Sequence, residues 1–259
     1  MTTGWDVDRA ATVLRRAEDD RADRGPVTDE WPELDLETAY RVQDEVLRRK
    51  VAEGRRVTGV KLGLTSRAKQ ERMGIDSPLT AWLTDDMPLD GPLAVGSLIH
   101  PRVEPEIVFV LGERLSGPDV TAARAMSAVA RVGAGLEVID SRYTDFKFTL
   151  PDVVADNASS ARYVTGGTWH EAGAFDLAAE ECALEIDGET VDTATGAAVQ
   201  GHPAEALALA ANTLSRRGIA LEPGWIVLTG GLTDAVFARP GNTISARFAN
   251  LGTVALRCD

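Results

Sequence analysis

The run HPRVEPEIVFVLGERL, residues 100 to 115, constrains the fold of this chain more than any other stretch, because it sets two glutamates inside what otherwise reads as a buried strand. Strand side chains alternate faces, so Glu104, Glu106 and Val108 share one face while Pro105, Ile107 and Phe109 share the other. Two like charges about 5 Å apart at an effective dielectric near 20 repel by about 3 kcal/mol, before any cost of leaving water. A third acid, Glu137, lies between Leu136 and Val138 in GAGLEVID. Carboxylates held together inside apolar strands need protonation or a hard divalent cation, and an oxygen-only donor set favours Mg2+ or Mn2+ over zinc. The spacing equally allows Glu104 and Glu106 to face solvent while Glu137 pairs with an arginine such as Arg102 or Arg142.

Around that strand the pattern is mixed. Residues 5 to 24 and 36 to 53 carry apolar positions at helical spacing, separated by the proline-bearing RGPVTDEWPELD, which predicts a helical cap over residues 1–55. From VTGVKLGLTS onward, residues 56–259 change to short apolar runs divided by glycine and proline: IVFVL, GAGLEVID, ALEIDG, GWIVLTGG and NTISARFANLGTVALR. These predict strands of a mostly antiparallel or mixed sheet, hence an α+β chain forming one compact unit. Two further helices are expected near 119 to 132 and 202 to 218, the second ending at a glycine C-cap.

Bulk composition narrows the function. The chain has 27 Lys and Arg against 40 Asp and Glu, a net charge of −13, so nucleic acid and anionic membranes are excluded as partners and an anionic substrate must meet a local cation. Two cysteines, Cys182 and Cys258, are too few for a disulfide framework, which predicts a reducing, cytoplasmic home. Neither an export signal nor an apolar run long enough to span a membrane is expected. The phosphate-cradling, nucleophile-elbow and HExxH signatures are absent, and His100, His170 and His202 have no spacing that gathers them on a metal.

One cation stands inside an apolar run. Lys61, between Val60 and Leu62, could neutralise a substrate carboxylate or exchange protons, or it could be an edge-strand lysine reaching water. The segment VVADNASSARYVTGG sets Asp156, Asn157, Ser159 and Ser160 between apolar runs, as a capping turn or as a polar loop over a site. DSRYTDFKF adds Arg142 and Lys147, a substrate contact or a solvated rim.

Taken in order, VKLGLTSRAKQERMG, PRVEPEIVFVL, LEVIDSRYTDFKF, VADNASSARYVTGG, VLTGGLTDAV and NLGTVALR resemble the 2-hydroxypenta-2,4-dienoate hydratase and 4-oxalocrotonate decarboxylase group of the fumarylacetoacetate hydrolase superfamily, over roughly residues 35 to 257. The resemblance implies a mixed β-roll with a helical N-terminal part, and Mg2+ (or Mn2+) held by Glu104, Glu106 and Glu137. It puts the active-site lysine on Lys61, and the substrate contacts on Leu64, Thr65, Arg142, Asp156, Ser160 and Thr229. Members chelate a 2-oxo acid on the metal, and a homo-oligomer, sometimes in complex with a paired hydratase, is implied as well.

Within the group, hydratases carry a D-x-P-D type sequence where decarboxylases have an apolar residue after the proline. Here DSPLTAW supplies Leu79, and SRYTDFKF and AKQERMG also read as decarboxylase-like. Thr80 and Ala81 replace an aromatic and a glycine usual in both, which implies an altered pocket wall. The resemblance therefore implies decarboxylation of a 2-oxo-3-hexenedioate, with hydration of 2-hydroxypenta-2,4-dienoate as the alternative and a catalytically silent scaffold as a further one.

Overall fold

A computed structural model of the chain describes residues 4–66, 70–71 and 74–259. Of the decarboxylase-like AKQERMG, residues 68–74, positions 68, 69, 72 and 73 lie outside the described ones. Three helices open the chain. In α1 (Val7–Asp20) the Asp6 carboxylate caps the Arg9 N–H at 2.8 Å, and in α3 (Leu36–Ala52) the Asp35 carboxylate caps Thr38 at 2.7 Å. Between them lies the single turn α2 (Val27–Glu30). The apolar stripes of these helices, including Ala11, Leu14 and Val42, close over Leu79, Tyr143 and Val153 in a core of their own.

Two sheets form the rest. The larger contains β1 (Val57–Gly63), β2 (Leu79–Thr84), β3 (Arg102–Leu111), β4 (Val129–Ile139), β5 (Ser160–Glu171) and β8 (Ile226–Leu228) in the order β2-β1-β8-β3-β4-β5, with β9 (Val236–Phe237) beside β3. It is mixed, because β1 runs parallel to β8 while its other pairs are antiparallel. The smaller sheet joins β6 (Glu181–Ile186), β7 (Glu189–Thr195), β10 (Thr243–Phe248) and β11 (Thr253–Arg257) in antiparallel order β11-β10-β6-β7. Ile107, Phe109, Leu136 and Val138 of the larger sheet pack against Leu184, Ile244, Val254 and Leu256 of the smaller one, giving the main core. This is the expected mixed β-roll with a helical N-terminal part.

Several sequence expectations need correction. The helix near 119 to 132 is only Ala122–Ser127, because Val129 and Val132 are claimed by β4, where Leu111 pairs with Val129 and Phe109 with Val132. Pairing and burial outweigh weak helical propensity. The helix near 202 to 218 spans Pro203–Arg216 and ends as expected at Gly218, whose φ of +73° suits glycine. β2 escaped notice because all six of its residues are buried, leaving no alternation to read. Cys182 and Cys258 are free and buried, burial pushing the Cys182 thiol up to about 12. No helix among the described residues is long and apolar enough to cross a membrane.

Candidate active site

Glu104 on β3 stands directly opposite Glu137 on β4, and Glu106 stands opposite Gly135. Strand parity points Ile107, Phe109, Leu136 and Val138 into the main core, so all three carboxylates project from the other face. An oxygen from each lies within 4.8 Å of the others. Glu106 and Glu137 are fully buried and Glu104 is half-buried, so the solvent-facing alternative is overturned. Glu137 does not pair with Arg102 or Arg142. Its Oε2 accepts from the Lys61 Nζ at 3.1 Å, and its Oε1 from the Ser160 hydroxyl at 2.7 Å.

Lys61 reaches this face through the sheet. β1 lies between β2 and β8, not at an edge, and Lys61 aligns with Leu228, which in turn aligns with Val108 of β3. Burial pulls the ammonium toward deprotonation, but Glu137, Glu104 and Glu106 outweigh it and hold its pKa above the ordinary lysine value. Burial first, then the charges of Glu137 and Glu104, push the Glu106 carboxyl well above the usual range, against the pull of Lys61 and the Gly230 N–H. Glu106 Oε1 is buried with no hydrogen-bond partner. Three carboxylates and one ammonium leave a formal charge of −2 when ionised, which one divalent cation balances. An orphaned acceptor among oxygen-only donors fits Mg2+ or Mn2+.

The TGG turn at Thr229–Gly231 completes the cluster. Thr229 donates its hydroxyl to the Ile107 carbonyl at 2.8 Å, fixing the turn on β3. Gly230, at φ +116°, aims its N–H at Glu106 Oε2, 2.6 Å away. A Cβ on Gly231 would lie 2.2 Å from Glu104 Oε2, so only glycine leaves that carboxylate its position. Alanine there displaces the mobile end of one side chain rather than backbone. Gly231→Ala should therefore fold with nearly unchanged stability yet bind Mg2+ at least about tenfold more weakly, the scale of losing a ligand's orientation. Titration calorimetry beside a thermal melt checks this, and unchanged affinity refutes it.

A cavity of about 230 Å³ opens beside the cluster. Lys61, Thr65, Glu104 and Ser159 supply polar lining, while Leu64, Leu79, Phe146, Phe148 and Val153 supply an apolar wall. Of the residues anticipated from sequence, Lys61, Leu64, Thr65, Leu79 and Glu104 line this cavity, and Ser160 touches Glu137. Arg142, Asp156 and Thr229 do not line it. Arg142 is buried with its Nε on the Asp156 carboxylate and its Nη1 on the Asp140 carbonyl at 2.7 Å, beside a separate void of about 30 Å³. Burial pushes the Asp156 carboxyl up to about 6 while Arg142 pulls it down. Thr80 and Ala81 also stay out of the cavity wall, so the alteration they implied is not found there. The resemblance also places the TGG turn, Thr229 to Gly231, at the pocket, and of its three residues Gly231 lines the cavity; the aromatic wall of Phe146 and Phe148 was not singled out within SRYTDFKF.

The segment from residue 80 to 258 matches the family model described as fumarylacetoacetate (FAA) hydrolase C-terminal. The chain belongs to the fumarylacetoacetate hydrolase family. Within it, a 4-oxalocrotonate decarboxylase of Pseudomonas sp. (strain CF600) is 42% identical over 95% of this chain and 94% of its own length. A 2-hydroxyhexa-2,4-dienoate hydratase of Comamonas testosteroni is 38% identical over 90% of this chain and 89% of its own. The solved 4-oxalocrotonate decarboxylase from Pseudomonas putida G7, complexed with magnesium and adipate, superposes with a TM-score of 0.94 at 41% identity, over 98% of this chain and 97% of that one.

Proposed function

We propose that the chain is a divalent-metal-dependent carbon–carbon lyase that converts a 2-oxo-3-hexenedioate into 2-hydroxypenta-2,4-dienoate and CO2. The observation that carries this is the Glu104, Glu106 and Glu137 triad with Lys61, opening onto a cavity that Leu64, Leu79, Phe146, Phe148 and Val153 wall on its apolar side. In this reading those three glutamates hold Mg2+ (or Mn2+), which when bound supplies a Lewis acid at the 2-oxo acid end of the substrate.

The chain's own groups account for the remaining steps. The C5–C6 bond breaks with release of CO2, its electron pair forms the C4–C5 alkene, the C3–C4 alkene shifts to C2–C3, and the C2 oxygen gains the charge. Lys61, whose Nζ lies 3.1 Å from Glu137 and which lines the cavity, gives that oxygen its proton. Leu79, Phe146 and Val153 keep water from the departing carboxylate, which favours its loss as neutral CO2. The product is what a hydratase consumes, so a paired hydratase, a homo-oligomeric assembly and a cytoplasmic setting belong to the same proposal.

The test is a paired assay. Release of CO2 from the hexenedioate without hydration of the pentadienoate supports the reading, and the reverse outcome replaces it with the hydratase. Failure to bind oxalate or a 2-oxo diacid in Mg2+ buffer would instead leave a silent scaffold. Leu79→Asp sharpens the choice. An ionised aspartate a few ångströms from the leaving carboxylate repels it by about 1 to 4 kcal/mol, while a protonated one hydrogen-bonds it and resists its departure. The ratio of decarboxylation to hydration should fall about tenfold or more; an unchanged ratio would make Leu79 ordinary packing.

A further inference from the structure

β2 is the outer strand of the larger sheet, and such a strand presents backbone groups with no strand to pair them. Side chains take their place here. The Thr80 carbonyl accepts from Gln43 Nε2 at 3.1 Å. Asn157 grips Trp82 at two points, its Oδ1 accepting from the Trp82 N–H at 2.8 Å and its Nδ2 donating to the Trp82 carbonyl at 3.0 Å. Trp82 is itself anchored, its indole N–H on Asp44 at 3.0 Å and its ring edge-on to Trp225 at 6.3 Å.

Asn157 also begins a backbone segment that side-chain-bearing residues rarely adopt. Asn157, Ala158 and Ser159 are all left-handed, with φ of 48°, 47° and 58°. Such a turn persists only where its surroundings hold it. Ala158 and Ser159 line the cavity, and the next residue, Ser160, donates its hydroxyl to Glu137. Ser160 faces Glu137 only because the β4–β5 register shifts between Val138 and Ile139, so that Ile139 pairs with Ser160.

We propose that Asn157 is a positioning residue: by gripping the Trp82 backbone it fixes the left-handed turn, which holds the Ser160 hydroxyl on Glu137 and so orients that carboxylate for the metal. The inference rests on the metal reading of this site. Partners one step behind a ligand typically change metal affinity by about 10- to 100-fold.

The experiment measures Mg2+ affinity of the full chain by calorimetry, without substrate, for wild type, Asn157→Gly, Ser160→Ala and the double variant. Glycine accepts the left-handed turn and lacks the grip. Each single variant should bind Mg2+ about tenfold more weakly, and the double variant no more weakly than the worse single, because both act along one path. Wild-type affinity in Asn157→Gly, or losses that simply add, would overturn the inference. Should Asn157→Gly not fold, Asn157→Asp keeps the acceptor for the Trp82 N–H, lacks the donor, and enters the same comparison. A wild type that binds Mg2+ but releases no CO2 overturns the reaction and leaves this inference standing, whereas one that binds no Mg2+ overturns both.

Discussion

Glu106→Gln should give a folded chain with no measurable turnover. The glutamine oxygen can still accept the Gly230 N–H that now reaches Glu106 Oε2 at 2.6 Å, so the turn on β3 keeps its anchor. The other atom becomes an amide donor in place of the partnerless Oε1, in a cluster where one oxygen of each carboxylate lies within 4.8 Å of the others. Removing a carboxyl whose ionised form is disfavoured by burial and by the Glu137 and Glu104 charges relieves that cost, so without metal the variant should be at least as stable as the parent. The loss appears on adding Mg2+. A ligand at a hundred times its dissociation constant stabilises the native state by about 2.7 kcal/mol, which raises the melting temperature of a chain of this size by roughly 5 to 10 °C. Wild type should show that rise and Glu106→Gln should not; an active variant in Mg2+ buffer would remove the metal assignment.

Lys61→Ala should lower kcat/KM by roughly 100-fold or more, the range expected on losing a placed proton donor in a site that excludes water. Metal affinity should move the other way. The ammonium lies 3.1 Å from Glu137 and competes with any cation for the same carboxylates, so deleting it leaves them more negative and Mg2+ better bound. An inactive variant with tighter metal binding therefore separates a role in chemistry from one in holding the cluster together. Lys61→Arg should not restore activity, because the guanidinium is bulkier, planar and does not give up its proton. Rescue by arginine would reduce Lys61 to charge neutralisation.

The carboxylate triad was legible because strand alternation is strict: once Ile107 and Phe109 are taken as core, Glu104 and Glu106 must share the opposite face. Lys61 was legible as a cation in an apolar run, though not its strand's central place, since β1 meets β8 from a segment more than 160 residues away. The contact between Ser160 and Glu137 could not be read, because it depends on a register shift that reverses which face Ser160 occupies. Arg142 misled for another reason. A charged residue in a polar stretch looks available to a ligand, but its donors are taken by Asp156 and Asp140 in the fold. The glycines after β8 were visible as a motif, yet what each makes room for belongs to tertiary structure.

The cavity draws its two kinds of wall from two different parts of the molecule. Its charged side comes from Lys61 on β1 and Glu104 on β3, and the β3–β4 register sets Glu104 against Glu137. Leu79, Val153, Leu64 and Phe148 belong instead to the core closed by α1 and α3, where residues such as Leu14 and Val42 touch no substrate but set how closely the wall packs. The residues that back the apolar wall thus lie in a stretch of sequence apart from the triad, and the helical layer is free to drift toward new side-chain sizes while the chemistry of the triad stays as it is.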